Sequence, residues 1–171
     1  MAPLEAINIE NSILGSIILD NTLAYKLDEL SKDMFSVSYN KEIFEIMKSL
    51  YKNNYTLDIP TIKTKLDERK VDVMVSYISN LSSIGETYAI DTHINILKDK
   101  FKRKCIKNSC MNLITEILEN KDIDSSLFKF ENDIKSTVDQ DIEDKDDMSS
   151  ICERILDFLE NDKETGLKFG V

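Results

Sequence analysis

Apolar residues recur at intervals of three and four along most of the chain, and this spacing is typical of one face of an α-helix. In the first half of the chain the runs are short and separated by polar or breaker residues. The pattern predicts short helices over residues 9–18, 23–30, 43–51, 59–66 and 73–81. We therefore expect an all-α fold that opens with a compact helical head.

Four residues mark how these helices begin and pack. Asn8 is placed as an N-cap of the first helix, and Asp58 as an N-cap before a helix whose first turn tolerates proline. Gly15 lies inside the first helix, where glycine costs about 1 kcal/mol relative to alanine. It therefore predicts a close helix contact rather than a break. Phe35 is predicted to fill the core from a loop.

The second half contains a much longer helical pattern. Apolar residues repeat over residues 87–118, and a shorter helix follows, started by Asp124, Ser125 or Ser126. The two helices predict an antiparallel hairpin that cannot bury its apolar stripe alone and should pack on a second copy. The residues predicted for hairpin dimer contact are Ile94, Leu97, Phe101, Ile114 and Leu118, which combine intramolecular core with contact to a partner.

Beyond the hairpin the composition changes. Residues 139–147 read DQDIEDKDD, which is typical of a solvated linker. Ser150 and Glu153 then have the spacing of a capping box, in front of an amphipathic helix that is too short to be stable alone. This helix needs a groove on another domain, and its predicted docking residues are Ile151, Ile155, Leu156, Phe158 and Leu159.

Charge and composition restrict the function. The net charge of −10 argues against a free-standing nucleic-acid binder, and the chain contains neither a transmembrane-length apolar run nor a signal peptide. We therefore expect a cytoplasmic protein with no membrane contact, whose Cys105, Cys110 and Cys152 stay reduced. One basic cluster stands out as a solvated face or a patch for DNA or an acidic partner: Lys98, Lys100, Lys102, Arg103, Lys104 and Lys107.

No catalytic motif is present. The sequence contains no phosphate-binding loop and no metal-binding pair, and His93 has no partner at catalytic spacing. We therefore predict no catalytic residue, no cofactor and no metal site in this chain.

Several short stretches resemble the N-terminal domain and linker of DnaB-family replicative hexameric DNA helicases. The first helix, with Glu10 ahead of the Leu14-Gly15 pair and an aliphatic run, is similar to that family's opening helix. Further similar stretches are Asp33-Met34-Phe35, Ile43-Phe44-Glu45-Ile46, Leu57-Asp58-Ile59-Pro60-Thr61-Ile62, Tyr77-Ile78-Ser79-Asn80-Leu81 and Thr165-Gly166-Leu167-Lys168-Phe169-Gly170. The sequence departs from the family over residues 71–76, which lack its Gly-Gly pair, and this suggests a divergent member of phage or bacterial origin.

The resemblance implies a domain order and a set of partners. It implies a helical head (1–85), a helical hairpin (86–138), an acidic linker (139–148), a linker helix (149–162) and the start of a RecA-like ATPase domain (163–171). It further implies dimers, a trimer of dimers and a hexameric parent in a bacterium or a phage-infected host. Its partners would be primase, a helicase loader and, through the parent, single-stranded DNA. The parent would unwind duplex DNA 5′ to 3′ with ATP and Mg²⁺ bound beyond Val171.

Two alternatives stay open on the sequence. One is the primase C-terminal helicase-interaction domain, which has a similar fold but should end with its hairpin. The other is a stand-alone acidic replication adaptor.

Overall fold

Helices account for the regular structure of the protein. The computed structural model describes residues 3–139, and no strand occurs within that range. Its α-helices are α1 Pro3–Leu19, α2 Ser38–Lys52, α3 Ile59–Glu68, α4 Val75–Ile84, α5 Ile90–Leu118 and α6 Ile123–Asp139, and 3-10 segments cover Asn21–Glu29, Lys32–Met34 and Thr87–Ala89. The predicted all-α fold is confirmed.

The chain divides into two compact units between Asn108 and Ser109. The predicted boundary at residue 85 lies inside the first unit, because that unit contains the beginning of α5 as well as α1–α4. Ile90, Ile94 and Leu97 of α5 are buried in the same core as the apolar residues of the head. The head core therefore includes part of the helix that the sequence pattern assigned to the hairpin.

The core of the first unit contains the loop residue that was predicted to fill it. Phe35 is fully buried, and its ring centroid lies 5.0 Å from that of Phe44 in α2. Offset or tilted aromatic pairs at this distance are stabilising beyond the area they bury. The prediction for Phe35 is confirmed.

A direct backbone contact joins α1 to the end of α4. A Cβ atom built on Gly15 would lie 1.9 Å from the carbonyl oxygen of Leu81, and one built on Gly85 would lie 2.6 Å from the carbonyl carbon of Gly15. Only a residue without a side chain fits at either position. The predicted close helix contact at Gly15 is confirmed, and Gly85 supplies its other half.

A buried carboxylate of α1 caps the start of α2. Glu10 is 1% exposed, and its Oε1 accepts hydrogen bonds from the backbone N–H of Ser36 at 2.7 Å and from the hydroxyl of Ser36. Its Oε2 accepts from the backbone N–H of Val37 at 3.3 Å and from Asn40 Nδ2 at 3.0 Å. Val37, the N-cap of α2, has no side-chain cap of its own. Glu10, which belongs to α1, thus accepts hydrogen bonds from backbone N–H groups at the start of α2. Its carboxylate also lies at the positive end of the α2 dipole.

The same network reaches α4 through a tyrosine. Tyr77 Oη donates to Asn40 Oδ1 at 2.8 Å, and Asn40 Nδ2 also donates to Asn11 Oδ1 at 2.9 Å. Burial, followed by the negative charge of Glu10, raises the pKa of Tyr77, so its hydroxyl stays protonated as a donor. Three helices of the head are therefore tied together by buried polar side chains.

The predicted helix ends had mixed outcomes. Asp58 caps α3 as expected, because its Oδ1 accepts from the backbone N–H of Thr61 at 2.8 Å. Asn8 was predicted as an N-cap and this is wrong, since α1 already begins at Pro3. The second predicted helix forms as the 3-10 segment Asn21–Glu29, which Asp20 caps through the N–H of Thr22.

An ion network fixes the first turns of α5 to this 3-10 segment. Lys26 Nζ lies 2.9 Å from Glu29 Oε1 and 2.8 Å from Asp91 Oδ1, and Lys98 Nζ lies 3.1 Å from Glu29 Oε2. Partial burial alone would raise the pKa of Glu29. The hydrogen bonds and charges of Lys26 and Lys98 outweigh burial and leave that pKa below its usual value.

We predict that Gly15→Ala lowers the free energy of unfolding by at least about 2 kcal/mol, although alanine is the better helix former. The added methyl group would collide with backbone atoms, which cannot rotate away. Urea unfolding followed by far-UV circular dichroism measures the loss. Asn95→Ala, at an exposed position of α5, is the matched control and should be neutral or slightly stabilising. Wild-type stability in Gly15→Ala would contradict the contact.

We further predict a pH dependence for Glu29→Gln. Because the pKa of Glu29 is lower in the folded than in the unfolded chain, its pairing contributes stability above the ordinary glutamate pKa of 4.5, and this stability is lost as pH falls through the pKa of the folded chain. The variant should be less stable than the wild type at pH 7 by about 1 kcal/mol or less, as solvent screens partly exposed pairs. Thermal unfolding of both proteins between pH 3 and pH 7 measures the difference. A difference that stays constant down to pH 3 would show that the pairing is not its cause.

Candidate assembly surface

The turn between α5 and α6 is closed by backbone and side-chain hydrogen bonds. Asn120 adopts a left-handed conformation with φ of 54°, and the N–H of Lys121 donates to the carbonyl of Glu116 at 3.1 Å. These are the features of a Schellman motif. Asp122 then caps α6 by accepting from the N–H of Ser125 at 2.9 Å. The predicted start at residues 124–126 is therefore slightly late, because α6 begins at Ile123.

A polar contact holds the start of α6 against the end of α5 within the second unit. Lys129 Nζ lies 2.8 Å from Glu116 Oε1, and Ser126 beside them is buried. The hydrogen bond from Lys129, followed by the one from Ser126, lowers the pKa of Glu116. The chain reverses direction here, as the predicted hairpin requires.

Apolar side chains cover much of this hairpin end without being buried. Leu118 is 76% exposed, Phe128 67% and Ile114 52%. Large exposed apolar patches mark interaction sites, whereas single exposed apolar residues need no explanation. Here several exposed apolar residues follow one another at the end of α5 and the start of α6, which makes this end of the hairpin a candidate interaction site. We call this set the hairpin stripe, and its members are Met111, Ile114, Ile117, Leu118, Ile123, Leu127 and Phe128.

The five residues predicted for hairpin dimer contact fall into two groups. Ile94 and Leu97 are 1% and 2% exposed and belong to the head core. They were expected to serve either the intramolecular core or the contact to a partner, and the structure places them in the core. Phe101 is half-buried. Ile114 and Leu118 remain exposed and available to a partner.

Sequence reasoning left out several members of the hairpin stripe. Ile117 and Leu127 follow the helical periodicity, but nothing in the spacing distinguishes them from core residues. Met111 lies three residues before Ile114 and seven before Leu118, so it shares their helical face. Phe128 lies off the periodicity of α6, and this was the available signal. An apolar residue outside the main stripe of a helix indicates a second apolar face.

The residues of the predicted basic cluster lie in different surroundings. Lys98 is paired with Glu29 in the head, and the guanidinium Nε of Arg103 donates to Asp99 Oδ2 at 2.8 Å. The ammonium of Lys100 is buried and has no hydrogen-bond partner among residues 3–139. Lys102, in contrast, takes part in an interaction. Lys104 and Lys107 are exposed.

The structure shows little about the remaining predicted sites. The linker-helix residues Ile151, Ile155, Leu156, Phe158 and Leu159 lie outside the described residues. Cys105 and Cys110 are free and half-buried. Among residues 3–139, no group of three or more His, Cys, Asp or Glu side chains is placed to bind a metal ion. No helix in that range is long and apolar enough to cross a membrane.

Comparison with known protein families identifies the class of protein to which this chain belongs. The sequence model of the DnaB-like helicase N terminal domain matches residues 2–99, more than half of the chain. The chain belongs to this family of helicase N-terminal domains. The match covers the whole head, including the glycine contact and the Glu10 network.

Two particular relatives are similar to this chain. The replicative DNA helicase DnaB of Buchnera aphidicola subsp. Baizongia pistaciae (strain Bp) is 32% identical over 111 residues. That alignment covers 60% of this chain and 23% of the relative, so the chain spans about a quarter of that helicase's length. The N-terminal domain of DnaB helicase from Mycobacterium tuberculosis superposes with a TM-score of 0.68 at 16% identity, over 76% of this chain and 96% of that domain. The second likeness concerns the fold alone.

Proposed function

We propose that this chain is the N-terminal collar and linker region of a replicative DNA helicase, and that its work is assembly and partner docking. The family membership and the similarity to a replicative helicase support this assignment. They also favour the helicase over the primase interaction domain and the free adaptor, since the matched family is a helicase domain.

The single observation that carries the assembly role is the hairpin stripe. Its exposed side chains include Ile114, Leu118 and Phe128, and burying one such side chain fully is worth about 1.5–3 kcal/mol. Several of them together can offset the entropy lost when two copies associate. A second copy of the same hairpin is the simplest apolar partner, because a two-fold contact pairs one surface with itself.

Larger assemblies follow from this pairing in the proposed parent. Three such dimers would form a collar as a trimer of dimers, and the whole helicase would be a hexamer. Primase and a helicase loader are the proposed docking partners of that collar. The proposed setting is the cytoplasm of a bacterium or of a phage-infected host.

Catalysis is assigned to the parent and not to the described residues. The proposed helicase would unwind duplex DNA 5′ to 3′ on a single strand, using ATP and Mg²⁺. We assign no step of that reaction to any residue between 3 and 139. The predicted docking of residues 149–162 on a neighbouring ATPase domain remains part of this proposal.

We predict that the chain self-associates through the hairpin stripe. Sedimentation velocity from low to high micromolar concentration should show a dimer or larger species for the wild type. Leu118→Asp/Phe128→Asp should be a monomer throughout, because two buried carboxylates would have to be desolvated at the contact.

A matched variant of the head provides the control. Met74→Asp/Tyr88→Asp changes two apolar residues that are 74% and 87% exposed, and it should associate like the wild type. A wild type that stays monomeric at every concentration would contradict the proposal. So would a loss of association in the head variant alone.

A further inference from the structure

An open cavity of about 550 Å³ lies on the head, next to the second half of α2. Four cationic side chains line it, although they are far apart in sequence: Lys32 from a 3-10 turn, Lys48 and Lys52 from α2, and Arg69 from the end of α3. We call this cavity the head groove. An excess of positive charge at one cavity is unexpected on a chain with a net charge of −10.

Carboxylates compensate only part of that charge. Glu45 Oε2 lies 2.9 Å from Lys32 Nζ and 3.7 Å from Arg69 Nη1, and Lys32 also reaches Glu42 Oε1 at 3.1 Å. Two of the four cations therefore share acidic partners inside the protein.

The other two cations have no acidic partner among residues 3–139. Lys48 Nζ donates to the carbonyl of Leu30 at 3.0 Å and lies 5.4 Å from the ring centroid of Phe44. Lys52 is exposed and forms no ion pair within the described part of the chain. Neither ammonium group is therefore paired with a carboxylate of the described residues at the head groove.

Helix ends explain some of these residues but not all. Lys52 lies in the last turn of α2 and Arg69 is the C-cap of α3, where cations interact favourably with the helix dipole. Lys48 lies one turn earlier, and Lys32 precedes the helix altogether. Their presence at the same cavity requires a reason other than capping.

A neighbouring cavity of about 370 Å³ extends the head groove on the side of Arg69. It is lined by the exposed ring of Tyr55 together with Lys65 and Glu68. Tyrosine presents an apolar face and a polar tip at low entropic cost, which suits it to protein interfaces. The two cavities together therefore offer cationic side chains followed by an aromatic anchor.

We propose that the head groove binds an acidic segment of a partner protein, with Lys48 and Lys52 pairing its carboxylates and Tyr55 contacting an apolar residue of the same segment. A nucleic acid fits less well, because a polyphosphate is bound through many Lys and Arg contacts, and only Lys48 and Lys52 of the head groove lack a carboxylate partner among residues 3–139. Phe44, the aromatic residue that lines the head groove itself, is 2% exposed and cannot stack against bases. This binding site is separate from the self-association proposed above, because none of its residues belongs to the hairpin stripe.

Fluorescence anisotropy with a labelled synthetic peptide tests the proposal. The probe is about a dozen residues of Asp and Glu with two leucines, and its matched control carries Asn and Gln in place of the acids. The full chain should bind the acidic peptide and not the neutral one. Lys48→Met/Lys52→Gln should weaken binding about ten-fold, because two exposed charge pairs are lost.

The choice of variants separates binding from folding and from general electrostatics. Methionine keeps an unbranched apolar side chain beside Phe44 and removes the charge of Lys48. Lys52→Gln alone, at an exposed position, should weaken binding about three-fold. Lys104→Gln/Lys107→Gln removes the same charge from the exposed end of the basic cluster on α5, and it should bind like the wild type.

Three results would overturn the proposal. The first is no binding of the acidic peptide by the wild type. The second is an equal or greater loss in Lys104→Gln/Lys107→Gln, which would place the peptide on α5 or show non-specific attraction. The third is tighter binding of a labelled oligothymidine that Lys48→Met/Lys52→Gln abolishes, which would assign the head groove to single-stranded nucleic acid.

Discussion

The close approach of two helix backbones at Gly15 and Gly85 is the constraint on which the arrangement of the head depends. A Cβ atom on either residue would overlap the backbone of the other helix or its C-terminal end. The contact fixes where α1 crosses the end of α4, and Gly85 is followed immediately by the 3-10 turn Thr87–Ala89 and by α5. The path of the chain into its longest helix is therefore set by two residues without side chains.

Hydrogen bonds between buried polar groups join the helices of the head in addition to the glycine contact. Glu10 ties α1 to the start of α2, and Tyr77 ties α4 to the same network, so these three helices are joined by buried and partly buried hydrogen bonds. The head thus has a large apolar core of its own, in which Ile13, Phe35 and Phe44 are buried. The residues of the hairpin stripe are exposed instead, and this exposure is the physical basis for proposing that assembly occurs through the hairpin.

The sequence predicted features that depend on near neighbours better than features that depend on distant ones. Asp58 and Gly15 were interpreted correctly because a cap and a helix crossing leave a local signal. The cap that Glu10 provides could not be found this way, since its partners lie 26 to 30 residues further along the chain. Asn8 was placed as a cap only because the apolar pattern begins after it, whereas α1 starts at Pro3.

The same limit applies to the two candidate surfaces. Apolar residues recur at intervals of three and four through both Ile94 and Ile114, but this spacing does not say that Ile94 is buried in the head core while Ile114 is exposed. The head groove leaves no pattern in the sequence, because Lys32 and Arg69 are distant along the chain and are brought together only by the fold.

The most direct test of the account is whether the hairpin stripe of one copy lies against that of another. A nitroxide attached at Lys121→Cys, with Cys105, Cys110 and Cys152 changed to serine, would be mixed by co-refolding with ¹⁵N-labelled chains that carry no nitroxide. The account predicts intermolecular paramagnetic broadening of amide signals from the hairpin stripe and none from the core of the head. Broadening confined to the head, or no broadening in a sample that sedimentation shows to be associated, would contradict it.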